Sequence, residues 1–294
     1  MLIFERFAKH LGWLEILIIA GYAAFVYHQM RDVKKAPLWR LRTWTLFSIV
    51  FFSQLILGLS GMDKFLMTGK LHLPVPAMII AGPIYRGELS FMTFLFISTL
   101  LISGPAWCSH LCYFGAVDNI AATRPKKPSQ LKNKIPLKHT VLITIILVTI
   151  LLRWFQITPY WATIAGGAFG IIGISIIVLF SSRYGKMSQC ISYCPVGTLV
   201  TYLKHINPFK FVINDSCTQC MACTPNCKYD ALNQVNIRQL KPGLSCTYCG
   251  DCITSCHNQS LQYRLFKFSP STSREIYLVV TITLHAVFLG LGRI

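Results

Sequence analysis

Six long apolar stretches constrain the fold of this chain more than any other feature. They run at about Leu11–His28, Thr43–Gly61, Leu89–Trp107, His139–Ile157, Tyr160–Phe180 and Ile276–Gly292. Each is long enough to cross a hydrocarbon layer of roughly 30 Å as a helix. In lipid the backbone must satisfy its own polar groups, so such stretches fold as helices. Arg153 interrupts the fourth near its end, where a long basic side chain reaches back to the interface. Only 13% of the residues are charged, against about 25% in soluble domains. The first stretch is too long for a signal peptide and lacks a small-residue cleavage site, so it reads as a helix.

The loops orient the helices. Arg31, Lys34, Lys35, Arg40 and Arg42 separate helices one and two; Arg124, Lys126, Lys127, Lys132, Lys134 and Lys138 separate three and four. Ten more basic residues, Arg183, Lys186, Lys204 and Lys210 among them, lie between helices five and six. That surface carries 21 Lys and Arg residues against seven on the other. The positive-inside rule then puts both termini outside and all twelve cysteines on the cytoplasmic side of a bacterial inner membrane. With most of the net charge of +18 assigned to topology, no basic domain remains for nucleic acid.

The cysteines fall into four regularly spaced groups with none left over. This is a ligand pattern suited to a reducing compartment rather than a set of staples. Between Cys217 and Cys256 two runs share the spacing C-x2-C-x2-C-x3-C. In that spacing three close thiols cap one iron–sulfur cubane and the fourth reaches across to its neighbour. One 4Fe-4S cluster is therefore assigned Cys217, Cys220, Cys223 and Cys256, and a second Cys246, Cys249, Cys252 and Cys227. Zinc motifs close each ligand pair after C-x2-C, which fits these runs poorly. Lys228 and His257 stand where proline usually follows the fourth cysteine.

The other four thiols mark an internal repeat. Helices two and three end in W-C-S-H-L-C-Y-F-G, and helices four and five end in Q-C-I-S-Y-C-P-V-G. Both hairpins run the same way, giving a parallel repeat about an axis along the membrane normal. On a helix, C-x3-C sets two thiols one turn apart. Cys108, Cys112, Cys190 and Cys194 are thus placed to converge on one more metal or iron–sulfur centre. Buried reduced thiols and a redox-active thiol pair are the alternatives. His110 reads as a polar partner of the loop backbone.

The expected fold is an all-α polytopic membrane protein with two parallel-repeat hairpins and a small α+β ferredoxin-like cytoplasmic insert. The domains are an additional N-terminal helix and loop (1–42), a four-helix core with both C-x3-C motifs (43–209), the two-cluster insert (210–267) and a C-terminal helix (268–294).

Across roughly residues 40–265, this order of hairpins, C-x3-C motifs and cysteine runs resembles the NapH family. These are membrane-bound ferredoxin-type quinol dehydrogenase subunits, named for their role beside periplasmic nitrate reductase. The resemblance implies quinol oxidation, menaquinol being the expected donor, and transfer through 4Fe-4S clusters to a partner iron–sulfur or cytochrome subunit. The chain departs from the family in having Tyr113 where proline is usual, and in its first and last helices. Related regulatory proteins carry an extracytoplasmic flavin domain; no segment here is long enough for one.

A quinol site needs an apolar slot and a polar group. Glu88, His72 and Trp107 are the candidates, with Asp63 nearby and Glu15 in the first helix. The plainer reading pairs Glu88 with Arg86 at a helix start and makes Trp107 an interfacial anchor. His28, His139 and His285 lie in or near helices, but without C-x-x-C-H there is no c-type haem, and packed polar histidines are the expectation. The function expected is electron transfer from the quinone pool to a partner redox protein. The alternatives are reverse flow from a cytoplasmic donor, and a non-enzymatic protein for redox sensing or metalloenzyme maturation. The crossed wiring predicts that Cys256→Ser damages the cluster of Cys217, Cys220 and Cys223. Electron paramagnetic resonance on the reduced protein checks this; loss of the other cluster alone would refute it.

Overall fold

The computed structural model describes residues 10–62, 65, 73–89, 91–123, 128–131 and 133–290. Helices α1 (Gly12–Arg31) and α2 (Ala36–Leu59) come first. A short α3 (Met78–Arg86) precedes α4 (Phe91–Ser103), which continues through a 3-10 turn into a π turn, Trp107–Leu111. Then follow α5 (Tyr113–Ala121), α6 (Lys134–Trp154) and α7 (Pro159–Ile176). A second π turn, Gln189–Tyr193, leads into α8 (Pro195–Leu203). Strands β1 (Phe209–Ile213) and β2 (Leu261–Leu265) bracket the cysteine runs and the short α9 (Gln234–Arg238), and α10 (Pro270–Gly290) ends the described chain.

Five helical stretches among the described residues are long and apolar enough to cross a membrane: Ala36–Leu59, Thr93–Leu111, Lys134–Trp154, Pro159–Tyr184 and Pro270–Gly290. Only 11% of the α6 stretch is buried within the protein, and a helix apolar all round needs lipid or protein to cover it. The predicted first span forms as the 20-residue α1 but falls outside the five. Glu15, His28 and Gln29 make it less apolar. It nonetheless runs antiparallel along α10. Arg31 Nε meets Glu275 at 3.1 Å at one end, Tyr22 bonds His285 at 3.0 Å midway, and at the other end a Cβ on Gly290 would collide with Ile19.

The segment 73–86, between the second and third apolar stretches, does not run as a simple loop. Its segment 73–77 lies against the glycine face of α7. A Cβ on Gly166 would meet Met78 and Leu73, and one on Gly170 would strike Val75 at 2.7 Å. From there α3 turns back towards the far end of α6, where Arg153 donates to the Ile84 carbonyl at 3.1 Å and Tyr85 to that of Ile157 at 2.5 Å. Val75, Pro76 and Ala77 are buried. Glycines on α7 permit this close approach, as small residues do between membrane helices.

At the opposite end the helices carry the cysteine-rich unit. Strand β1 pairs antiparallel with β2, Phe209 opposite Leu265 and Ile213 opposite Leu261. Alternation turns Phe209, Phe211, Ile213, Leu261, Tyr263 and Leu265 inward, as the two-residue period of a strand dictates. They share one core with Tyr277 of α10 and Trp44 of α2. The Arg40 guanidinium fastens α2 to the unit, donating to both Asp251 oxygens at 2.8 and 2.5 Å and to the Ser109 carbonyl at 2.9 Å. Arg40 is 1% exposed. Breaking such a buried pair by removing one partner costs about 3–5 kcal/mol. Arg40→Ala should therefore lower the thermal midpoint of the detergent-solubilised protein by several degrees; an unchanged midpoint would contradict this anchoring.

Candidate functional site

The two C-x3-C motifs build the same local structure twice. In each, the first cysteine sits in a π turn. The second leaves the helix, with backbone angles of −82° and 114° at Cys112 and −76° and 117° at Cys194. Its N–H closes the wide turn, Cys112 to the Trp107 carbonyl and Cys194 to that of Gln189, both at 2.9 Å. The expected pair of thiols on one regular helical face is thus replaced by a turn that ends at the second cysteine. A nine-residue helix then starts from that cysteine. The glycine three residues on explains the motif C-x3-C-x2-G. A Cβ at Gly115 would lie 3.0 Å from the Cys108 carbonyl, and one at Gly197 2.9 Å from the Cys190 carbonyl.

Pro195 occupies the first position of α8, where proline is favoured because its missing N–H is not needed. Tyr113 holds the equivalent place in α5. It stacks on Phe51 of α2 with ring centroids 3.8 Å apart, so packing replaces backbone rigidity.

All four thiols converge. Cys108, Cys112, Cys190 and Cys194 line one cavity of about 30 Å³ together with Pro76, Trp107, Lys138, Gln189 and Cys246. This exceeds the space one water requires, about 10–15 Å³. Lys138 is buried and donates to Thr201 Oγ1 at 2.6 Å. It shares the cavity wall with the four thiols and, among the described residues, bonds no carboxylate. Burial raises the Cys190 thiol well above its ordinary range, with Asp118 and the thiols of Cys112, Cys194 and Cys108 adding to it. Cys112 is pushed up to about 12, chiefly by burial. Asp118 accepts the Cys190 N–H at 2.9 Å. The Trp44 indole donates to the Cys112 carbonyl at 2.8 Å.

The cysteine-rich unit is itself a structural repeat. Gln219 and Met221 flank Cys220 with φ of 56° and 61°, and Tyr248 and Gly250 flank Cys249 with 58° and 80°. Asp230 and Gln259, three residues past Cys227 and Cys256, are also left-handed. Successive N–H groups in such loops form concavities that bind anions, including iron–sulfur clusters. Backbone N–H groups donate to sulfur in both halves, Ala231 to Cys227 at 3.3 Å and Ser260 to Cys256 at 3.2 Å.

The grouping crosses between the runs. Cys252 faces Cys249, Cys227 and Cys246, whereas Cys223 faces Cys256, Cys217 and Cys220. Cys220 alone of the twelve is exposed. Among the described residues no three His, Cys, Asp or Glu side chains stand close enough to hold a single metal ion. A cubane spaces its thiolates more widely, one at each iron, so the repeated loops and crossed thiols fit a cluster better than a lone ion. Burial holds Cys227 and Cys246 up at about 11 and Cys249 at about 12, so loading such sites releases protons.

Two chain stretches, residues 87–129 and 167–212, match the family described as a 4Fe-4S binding domain. Each match contains one C-x3-C-x2-G motif, and neither reaches the cysteine runs. An uncharacterized protein of Methanocaldococcus jannaschii is 24% identical over 248 residues, which is 78% of this chain and 96% of that protein. No solved structure matches the chain. The protein is an iron–sulfur protein, and its five apolar helices are compatible with a multi-pass membrane protein.

The remaining candidates scatter. Trp107 lines the thiol cavity and packs edge-on against Phe96 and Phe288. Glu88 is exposed beyond the other end of α4, about 25 Å away at 1.5 Å per helical residue, so the two do not form one site. Arg86 folds back over Gly82 instead of pairing with Glu88. His72 and Asp63 lie outside the described residues. Glu15 is buried near Gly290. His28 is exposed; His139 bonds Tyr202 and the Ile135 carbonyl; His285 bonds Tyr22 and the His110 carbonyl.

Sequence reasoning missed Lys138, Lys186, Lys204 and Asp118 as parts of the site. Asp118 was findable as a rare acid six residues after Cys112. Gly197→Ala should destabilise the protein by about 1–3 kcal/mol through overpacking against the Cys190 carbonyl. Gly21→Ala, which meets nothing within 4 Å, should not. Equal thermal midpoints for the two variants would refute this role for the motif glycine.

Proposed function

We propose that this chain is a membrane electron-transfer subunit that takes electrons from quinol and delivers them, one at a time, to a partner redox protein. The single observation carrying this reading is that Cys246, from the second cysteine run, lines the same cavity as the four thiols at the helix ends. The cysteine sets thereby follow one another from the membrane helices, through the group of Cys227, Cys246, Cys249 and Cys252, to the group that ends at exposed Cys220. Bound 4Fe-4S clusters supply one-electron chemistry. The chain's own residues space the sulfurs, exclude water around the inner sets and leave one edge accessible.

Cys217, Cys220, Cys223 and Cys256 hold one cluster, and Cys246, Cys249, Cys252 and Cys227 the other. Cys108, Cys112, Cys190 and Cys194 hold a third. Support for the third is Lys138, a buried basic side chain that lines the cavity beside the four thiols and donates to the neutral Thr201 hydroxyl, together with the family match over both motifs. A buried cation needs a counter-charge, and a thiolate-ligated cluster provides one.

The resemblance to NapH supports quinol as the donor, with menaquinol the expected species. Oxidation of quinol to quinone releases two protons and two electrons. The electrons leave serially through the clusters to an oxidised iron–sulfur or cytochrome partner. The positive-inside balance supports a bacterial inner-membrane protein with its cysteines in the cytoplasm, and α1, coextensive with α10, serves as a sixth span.

Anaerobic mixing of the purified protein with a reduced quinol analogue tests the reading. Clusters should be reduced on the timescale of turnover, and Cys108→Ser should slow that reduction at least about tenfold while sparing the signals of the other two clusters. Absence of reduction by quinol would favour a sensing or maturation role. Reduction by a soluble cytoplasmic donor instead would reverse the direction.

A further inference from the structure

The surroundings of the two cysteine groups between β1 and β2 differ in charge. Around Cys227, Cys246, Cys249 and Cys252 lie buried cations. Lys204, 5% exposed, donates to the carbonyls of Leu244 at 2.6 Å and Cys246 at 3.1 Å. Lys186, 1% exposed, donates to the carbonyls of Cys227 at 2.7 Å and Thr224 at 3.1 Å. Arg40 sits on Asp251, between Cys249 and Cys252 in the chain, and Lys228 also faces Asp251. Lys134 is paired with Asp230. Two carboxylates therefore meet five cations, and neither Lys186 nor Lys204 bonds a carboxylate.

Among the described residues, no Lys or Arg side chain other than Lys186, at the Thr224 carbonyl, donates to the loops of the other group. Lys186 reaches the Thr224 carbonyl beside Cys223 at 3.1 Å, but it lies closer to the Cys227 carbonyl, at 2.7 Å. Lys204 donates only to carbonyls of the inner group's loop, those of Leu244 and Cys246.

Reduction adds a negative charge to a cluster, and a buried cation nearby stabilises that charge with little screening. Solvent works the other way, because water at an exposed cluster also stabilises its reduced form. Here water reaches chiefly one corner of the outer group, at Cys220, while Cys217, Cys223 and Cys256 are half-buried. Fixed charge at two sulfurs' backbones outweighs partial hydration at one.

We infer that Lys186 and Lys204 are positioning residues that set the order of reduction: the cluster on Cys227, Cys246, Cys249 and Cys252 fills before the one on Cys217, Cys220, Cys223 and Cys256. The first electron then rests on the membrane-proximal side, and its onward step to the exposed edge runs uphill until a partner docks there. This rests on the two-cluster reading given under Proposed function. A chain lacking both clusters' signals would sink that reading; both signals present in the opposite order would sink only this inference.

The test is a redox titration of the full-length protein in detergent, followed by electron paramagnetic resonance. Cys220→Ser marks the outer cluster's signal and Cys249→Ser the inner one's. The expected result is that the inner signal appears first in wild type. Lys204→Met and Lys186→Met should each move it to lower potential, by at least about 59 mV, a tenfold change for a one-electron couple. Lys204→Arg, which keeps the charge, should restore it. The outer signal should hardly move. The inference is overturned if the outer signal appears first in wild type, a comparison that needs no lysine variant to fold. It is equally overturned if the methionine variants retain their iron and leave the inner potential unchanged.

Discussion

Buried positive charge set against buried sulfur is the constraint on which this structure depends. Arg40, Lys138, Lys186 and Lys204 are each at most 7% exposed. An ammonium or guanidinium taken out of water costs several kcal/mol unless it is paired or hydrogen-bonded. These four spend their hydrogen bonds on a carboxylate, a threonine hydroxyl and backbone carbonyls of the cysteine loops. The bonds leave net positive charge beside thiols. That arrangement is stable when the thiols carry the negative charge of metal-bound thiolates, which ties folding of the cysteine end to what it binds.

The same constraint explains how the cysteine-rich unit sits on the helices. Arg40 enters it from α2, Lys138 approaches the thiol cavity from α6, and Tyr229 donates to the Cys108 carbonyl at 2.8 Å. Ser109 adds a bond to the Thr247 carbonyl at 3.2 Å. The unit is thus joined through the C-x3-C turns themselves. The segment 73–77 contributes Pro76 to the cavity wall. Helices, turns and cysteine runs meet at one place because each supplies a wall that the others lack.

Much of this was legible in the residues. Long apolar runs specify their own helices, and among the described residues the five stretches long and apolar enough to cross a membrane overlap runs that hydropathy marks. The parallel repeat was visible in the matched C-x3-C-x2-G motifs, although the π turn was not, since nothing in the spacing distinguishes a wide turn from a regular one. The crossed assignment of Cys227 to the cluster of Cys252 is an expectation that the spacing supplies. The fold of residues 73–86 was hidden because its cause, the glycine face of α7, lies some ninety residues downstream. By count alone the basic residues read as a topology signal. That reading misses that Arg40, Lys138, Lys186 and Lys204 point inward, because a charge count does not record which side chains are buried. α1 shows the converse: Glu15 and His28 lower its apolarity, yet packing on α10 makes it as long as a span.

On the proposed function, all twelve cysteines hold inorganic clusters at one end of the helices. Iron and acid-labile sulfide counted per chain, on protein purified without oxygen, test it most directly. The account predicts about twelve of each, three cubanes' worth. About eight would leave the four thiols of the cavity as thiols, nine irons with eight sulfides would make theirs a single-ion site, and a colourless, iron-free protein would contradict the account altogether.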